Sequence, residues 1–132
     1  EEIYTYLFSS AYELCEKVNQ AKKNLNYPSA VKECIYYIDK NINRKITLKE
    51  LGEYCSLRSD YISRLFKKAT GEKISDYIMN QKLETAKSML NGKYHYSAIG
   101  YYLGFSSESY FISCFKKKFG LTPRQYAESL CY

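Results

Sequence analysis

Two short stretches of this chain place hydrogen-bonding and charged side chains at helical spacing. Arg58, Ser59, Asp60, Ser63, Arg64 and Lys67 form the first set, and Glu108, Ser109, Ile112, Ser113 and Lys116 form the second. Each lies opposite an apolar stripe: Ile62, Leu65, Phe66 and Ala69 in one case, Phe111, Cys114 and Phe115 in the other. A helix that buries the stripe turns the polar set outward. Such sets are suited to recognition rather than bond making. An arginine offers a planar fork to paired acceptors, a carboxylate accepts, a hydroxyl does either, and a lysine neutralises an anion.

Catalytic chemistry has little to stand on, and the expectation is a protein that is not an enzyme. The sequence has no glycine-rich phosphate loop, nucleophile motif or cluster of carboxylates. Its five cysteines, Cys15, Cys34, Cys55, Cys114 and Cys131, lack metal-ligand spacing, and several sit where an amphipathic helix places a small core residue. Buried, reduced thiols in a cytoplasmic protein are expected, with no metal and no cofactor. The single histidine, His95, is expected to be a surface imidazole in the connection before the second polar set.

With 20 Lys and Arg against 14 Asp and Glu, the 132-residue chain carries a formal net charge of +6, which favours a polyanionic partner. No apolar run approaches the ~20 residues needed to span a bilayer, and nothing resembles a signal peptide. The chain opens on Glu1 rather than Met, which reads as a piece of a longer protein.

The elements that must position the two polar sets are nearly the same phrase written twice. Tyr61, Phe66, Lys67, Lys68, Gly71 and Tyr77 recur as Tyr110, Phe115, Lys116, Lys117, Gly120 and Tyr126, an offset of 49. Upstream, Leu51, Gly52 and Tyr54 recur as Ile99, Gly100 and Tyr102 at an offset of 48, which puts a one-residue insertion at Cys55-Ser56-Leu57 against Leu103-Gly104-Phe105. Length changes belong in turns, so each copy reads as helix, short turn, helix, then a glycine stop.

An apolar a/d seam at Tyr4, Leu7, Ala11, Leu14, Val18, Ala21 and Leu25 predicts an N-terminal amphipathic helix. That helix either packs on its own domain or pairs two chains through residues 3–25. Pro28 and Ser29 start another, burying Val31, Cys34, Ile35 and Ile38. Thr47-Leu48-Lys49-Glu50 is a capping box opening a helix with Leu48, Leu51 and Cys55 inward. Ile74 to Leu90 forms a long helix with Ile78, Leu83, Ala86, Met89 and Leu90 as core, closed by Asn91-Gly92. Ser97 begins the second copy, with Ile99 and Leu103 inward. Ser107 to Phe119 follows, Gly120 stops it, and Thr122-Pro123 caps a last short helix carrying Tyr126. The tyrosines repeated at 61, 77, 110 and 126 fit packing with the hydroxyl at the surface. No segment alternates as a strand does, and the predicted fold is all-α.

These residues resemble the AraC/XylS transcriptional regulators over roughly Ser29 to Leu130. The resemblance is strongest in Ile99-Gly100, Gly104-Phe105-Ser106, Ser109-Tyr110-Phe111, Phe115-Lys116-Lys117, Phe119-Gly120 and Thr122-Pro123-Arg124-Gln125-Tyr126. The first copy matches through Leu51-Gly52, Tyr61 to Lys68, and Gly71. The resemblance implies two homeodomain-like helix-turn-helix subdomains joined by a connecting helix. The expected division is a linker or dimerisation helix at 1–28 and a DNA-binding domain at 29–132, comprising module one at 29–73, connector at 74–90 and module two at 95–132. A seventeen-residue connector is about 25 Å long, compatible with two major-groove segments about 34 Å apart.

It also implies a sequence-specific double-stranded DNA-binding regulator, commonly an activator, with RNA polymerase as a partner, a sensory or receiver region in the missing N-terminal part, and a cytoplasmic location. By position, Asp60, Ser63 and Arg64 reach base edges in the first module, and Glu108, Ser109, Ile112 and Ser113 do so in the second. Arg58, Ser59, Lys67, Lys68, Lys73, Ser75, Ser107, Lys116, Lys117, Lys118, Thr122 and Arg124 are the implied phosphate contacts. Three other readings stay open at this point. They are single-stranded nucleic acid binding by tyrosine stacking, a helical protein-interaction domain, and a DNA-repair methyltransferase, for which Cys15 and Cys34 lack neighbouring ligands.

Overall fold

The computed structural model describes residues 27–91 and 95–130. The amphipathic segment 3–25, Cys15, Cys131 and Gly92 lie outside the described residues. Among the described residues there are seven helices and no strand: α1 Ser29–Lys40, α2 Leu48–Cys55, α3 Ser59–Thr70, α4 Ile74–Asn91, α5 Tyr96–Tyr102, α6 Glu108–Phe119 and α7 Pro123–Ser129. The fold is all-α. The chain divides into two compact units between Gln81 and Lys82, inside α4.

In the first unit α1, α2 and α3 pack on one another. Helix α1 buries Val31, Cys34, Ile35 and Ile38, as its three- and four-residue steps require. Helix α2 is opened by the predicted capping box: the Thr47 hydroxyl accepts from the Glu50 amide at 3.2 Å, and the Glu50 carboxylate accepts from the Thr47 amide. Glu50 also receives the Arg44 guanidinium and the Tyr37 hydroxyl, each at 2.8 Å, which ties the α1–α2 loop to both helices. The Arg44 guanidinium leads in holding this carboxyl down from its ordinary 4.5 to about 2; the Thr47 amide and the Tyr37 hydroxyl add to it, and partial burial opposes them. Ile62 and Phe66 of α3 are fully buried, and the Tyr77 ring meets Phe66 edge-on, with 5.2 Å between ring centroids. Each such side chain contributes roughly 1.5–3 kcal/mol by leaving water.

The apolar stripes are narrower than the sequence suggests. Leu48 is 38% exposed, and Leu65, Ala69 and Ile78 are only half-buried. Near its start α4 buries Ile74 and Tyr77 instead of Ile78, so Tyr77 sits inside beside Phe66 rather than with its hydroxyl at the surface.

The second unit holds the rest of α4 with α5, α6 and α7. Leu83, Ala86, Met89, Leu90, Ile99, Leu103, Phe111, Phe115 and Pro123 are buried. Phe115 is surrounded by aromatic rings, with Phe119 at 4.6 Å, Tyr126 at 5.9 Å and Phe111 at 6.0 Å between centroids. Cys114, expected to be buried, is half-exposed, because Phe111 and Phe115 alone fill the inward face. Helix α7 has a full capping box between Thr122 and Gln125 where the sequence reading saw only a cap and a proline. His95 is exposed, as expected, but has a structural role: Nδ1 lies 2.6 Å from the Ser97 hydroxyl and caps α5.

Candidate nucleic-acid interface

Each unit contains a helix, a tight turn and a second helix whose outer face is polar. The turns share one geometry. Ser56 is left-handed at φ 56°, and Gly104 is left-handed at φ 79°. In each turn the following amide reaches back to a glycine carbonyl: Leu57 to Gly52 at 2.9 Å and Phe105 to Gly100 at 3.2 Å. The turns therefore match through Leu57 and Phe105. The extra residue falls just after them, before α6, not at the Leu103-Gly104-Phe105 stretch itself.

The glycines permit close approach. A Cβ on Gly52 would stand 2.7 Å from the Leu57 carbonyl oxygen, and one on Gly100 would stand 2.8 Å from the Phe111 ring. Both second helices end on left-handed glycines, Gly71 at φ 85° and Gly120 at φ 80°.

On α3, Arg64 is the central outward side chain. Its side chain is 77% exposed, and its guanidinium lies 3.6 Å from the Asp60 carboxylate, which also takes Arg58 at 3.4 Å. Exposed pairs of this length add little stability, so Asp60 orients both arginines at small cost to their release. Arg64 borders two hollows. One, about 530 Å³, is floored by Ile46, Leu48, Ile74 and Ile78 and rimmed by Ser63, Arg64, Lys67, Lys68, Lys73 and Ser75. The other, about 460 Å³, is lined by Ser56, Leu57, Arg58, Asp60, Tyr61 and Arg64. The first unit thus gathers almost all of its expected contact residues on one face, and Leu48, expected inward, floors the larger hollow. Ser59 is half-buried, its hydroxyl against Gly52.

On α6, Glu108, Ser109, Ser113, Lys116 and Lys117 are exposed and Ile112 is half-exposed. Ser107 caps the helix, its hydroxyl accepting from the Tyr110 amide at 3.1 Å. Lys118 turns the other way: its ammonium pairs with Glu84 at 3.6 Å and lies over the Phe119 ring, leaving the side chain 25% exposed. The sequence reading that grouped it with Lys116 and Lys117 missed this, because a partner on α4 leaves no local trace. Arg124 pairs with Glu128 at 3.1 Å, and the Thr122 amide is taken by Gln125 at 3.0 Å.

Sequence reasoning also missed Lys82. It is buried on α4, and its ammonium donates to the Leu103 carbonyl at 2.6 Å, fixing the residue that leads into the second turn. The available signal was a lysine on the same helical stripe as Ile78 and Ala86.

Among the described residues no group of His, Cys, Asp and Glu could hold a metal ion, and no helix is long and apolar enough to cross a membrane.

A family model described as a helix-turn-helix domain matches residues 51–129. The chain is 30% identical to the bifunctional transcriptional activator/DNA repair enzyme AdaA of Bacillus subtilis, over 86% of this chain and 53% of that protein. It is also 30% identical to the uncharacterized HTH-type transcriptional regulator YobQ of the same organism, over 98% of this chain and 52% of that protein. The chain therefore spans about half the length of these relatives. Among solved structures, the C-terminal domain of the two-component response regulator yesN from Fusobacterium nucleatum aligns with a TM-score of 0.71 at 32% identity, covering 76% of this chain and 99% of that one. The DNA-binding domain of AdpA, solved in complex with a target DNA, shares the fold at a TM-score of 0.72 and 16% identity, covering 77% of this chain and 93% of that one. With two helix-turn-helix units in one chain and these likenesses, the protein belongs to the AraC/XylS family, as an AraC-type helix-turn-helix domain.

Proposed function

We propose that this chain is the sequence-specific, double-stranded DNA-binding part of a transcription regulator, an activator that presents α3 and α6 to successive major grooves and works with RNA polymerase in the cytoplasm. The observation that carries this reading is the outward face of α3. There Arg64 stands exposed beside Asp60, on the rim of a hollow edged by Lys67, Lys68 and Lys73. A guanidinium fork so placed suits guanine N7 and O6, and the surrounding ammonium groups suit phosphates. Asp60 and Ser63 complete the proposed base-reading set on α3.

In the second module Glu108, Ser109, Ile112 and Ser113 face the bases, with Ile112 packing on a thymine methyl. Arg58, Ser59, Lys67, Lys68, Lys73, Ser75, Ser107, Lys116, Lys117, Thr122 and Arg124 contact phosphates. Lys118 does so only after leaving Glu84. The relatives named as regulators support a role in regulation rather than catalysis.

Their greater length supports a sensory or receiver region in the whole protein, and the apolar seam of residues 3–25 supports a homodimer. Sedimentation of the chain and of Leu14→Glu tests the dimer; self-association lost in the variant is expected. For DNA binding, fluorescence anisotropy with a labelled duplex is challenged by unlabelled duplex and by single strands. Competition by the duplex alone is expected. Stronger competition by single strands, which would suit the exposed Tyr61 and Tyr110, overturns the reading.

A further inference from the structure

Cys34 on α1 and Cys55 at the last turn of α2 are separated by twenty-one positions in sequence, yet their sulfurs lie 3.2 Å apart. The contact has a direction. Cys55 donates to the Ala30 carbonyl at 3.7 Å, so the Cys34 thiol is left to donate to the Cys55 sulfur. Cys34 is buried and Cys55 half-exposed, so a small reagent reaches Cys55 first. We propose that Cys34 and Cys55 form a two-electron oxidation site, closed to a disulfide by a peroxide-class oxidant.

The atoms balance in two steps. The Cys55 thiolate, stabilised by the Cys34 S–H, attacks one peroxide oxygen. An S–O bond forms, the O–O bond breaks, and the departing hydroxide takes up the Cys55 proton as water. The Cys34 sulfur then displaces hydroxide from the Cys55 sulfenic acid, forming the S–S bond and releasing a second water with the Cys34 proton. Two thiols and one peroxide give one disulfide and two waters. The sulfurs need to close by only about 1.2 Å to reach bonding distance, a movement within the reach of side-chain rotation. Burial and the nearby Glu33 carboxylate push both thiols up, which makes the pair a slow responder to peroxide. The product would tie α1 to the end of α2, one residue before the left-handed Ser56 that leads into α3.

The test treats the full chain with hydrogen peroxide, blocks the remaining thiols and maps the tryptic peptides by mass spectrometry. The expected result is a reductant-sensitive peptide pair joining Cys34 to Cys55, with the intact mass lower by about 2 Da. The thermal midpoint should rise by on the order of 10 °C and return on reduction, because a loop of this length is closed in the unfolded chain. In Cys34→Ala, Cys55 should instead accumulate as a sulfenic acid trapped by dimedone. Linkage of either cysteine to a different partner, Cys55 carried to sulfinic acid in the unaltered chain with Cys34 still free, or both thiols unreacted would each overturn the proposal.

Discussion

Ser56 and Gly104 occupy the same left-handed step, one beyond Gly52 and the other beyond Gly100 at equal spacing, although only one of them is a glycine. The two turns are thus one device built from different residues. Ser56 carries a Cβ at φ 56°, which costs energy that Gly104 avoids at φ 79°.

The two positions should respond unequally to exchange. Gly104→Ala should lower stability by about 1–2 kcal/mol, the cost of forcing an L side chain into the left-handed region. Ser56→Gly should change it by less than about 0.5 kcal/mol, since relief of strain is offset by the extra freedom glycine has when unfolded. Urea denaturation of both variants measures this; equal destabilisation would show that the turns are not equivalent.

Recognition should be unequal between the two polar helices. Arg64→Ala should cost about 1–3 kcal/mol of binding to a selected site and relax preference at one base pair. Ser113→Ala, which removes no fork, should cost much less, and the half-site under Ile112 should tolerate several sequences around a thymine. Selection from randomised duplexes followed by titration gives both quantities. A larger loss from Ser113→Ala would reverse the assignment.

Salt dependence should distinguish lysines on one chain. Log affinity is expected to fall linearly with log salt, with a slope of about −0.9 per neutralised phosphate. Lys67→Ala should flatten the slope by about one such contact. Lys118→Ala should change it less, because that ammonium is already paired with Glu84. Anisotropy titrations over a range of salt concentrations read the slopes directly.

Acid should weaken the first unit through Glu50. Its folded carboxyl titrates at about 2 against an ordinary 4.5, so its contribution is complete above about pH 4.5 and disappears as the pH falls towards 2. Glu50→Gln should lower neutral-pH stability by about 1–2 kcal/mol, by loss of charge-assisted bonds, and flatten the acid limb. Circular dichroism melts from pH 2 to 7 follow this, and an unchanged acid limb in the variant would place the sensitivity elsewhere.

What could be read from the chain beforehand depended on how local its cause was. Thr47 and Glu50, Ser107, Thr122 and the stop glycines at 71 and 120 act within a few residues of themselves, so their types and spacing reveal them. The outward faces of α3 and α6 were legible for the same reason, as three- and four-residue steps. Lys82 on the Leu103 carbonyl, Lys118 on Glu84 and Cys34 against Cys55 depend on neighbours from outside their own helices; the helical phase turns Lys82 inward but names none of these partners. Leu48 was misread because an apolar residue beside the core and one lining a surface hollow obey the same helical phase.

The boundary inside α4 limits how this architecture can be recombined. The part up to Gln81 places Ile74 and Tyr77 in one core, and the part from Lys82 places Leu83, Ala86, Met89 and Leu90 in the other. Neither recognition unit is therefore a cassette that ends where its own helix-turn-helix ends. A chimaera that borrows one unit from a relative must be spliced in mid-helix to keep each core intact, and a graft joined instead at the loop after Gly71 would bring a reader whose foundations stayed behind.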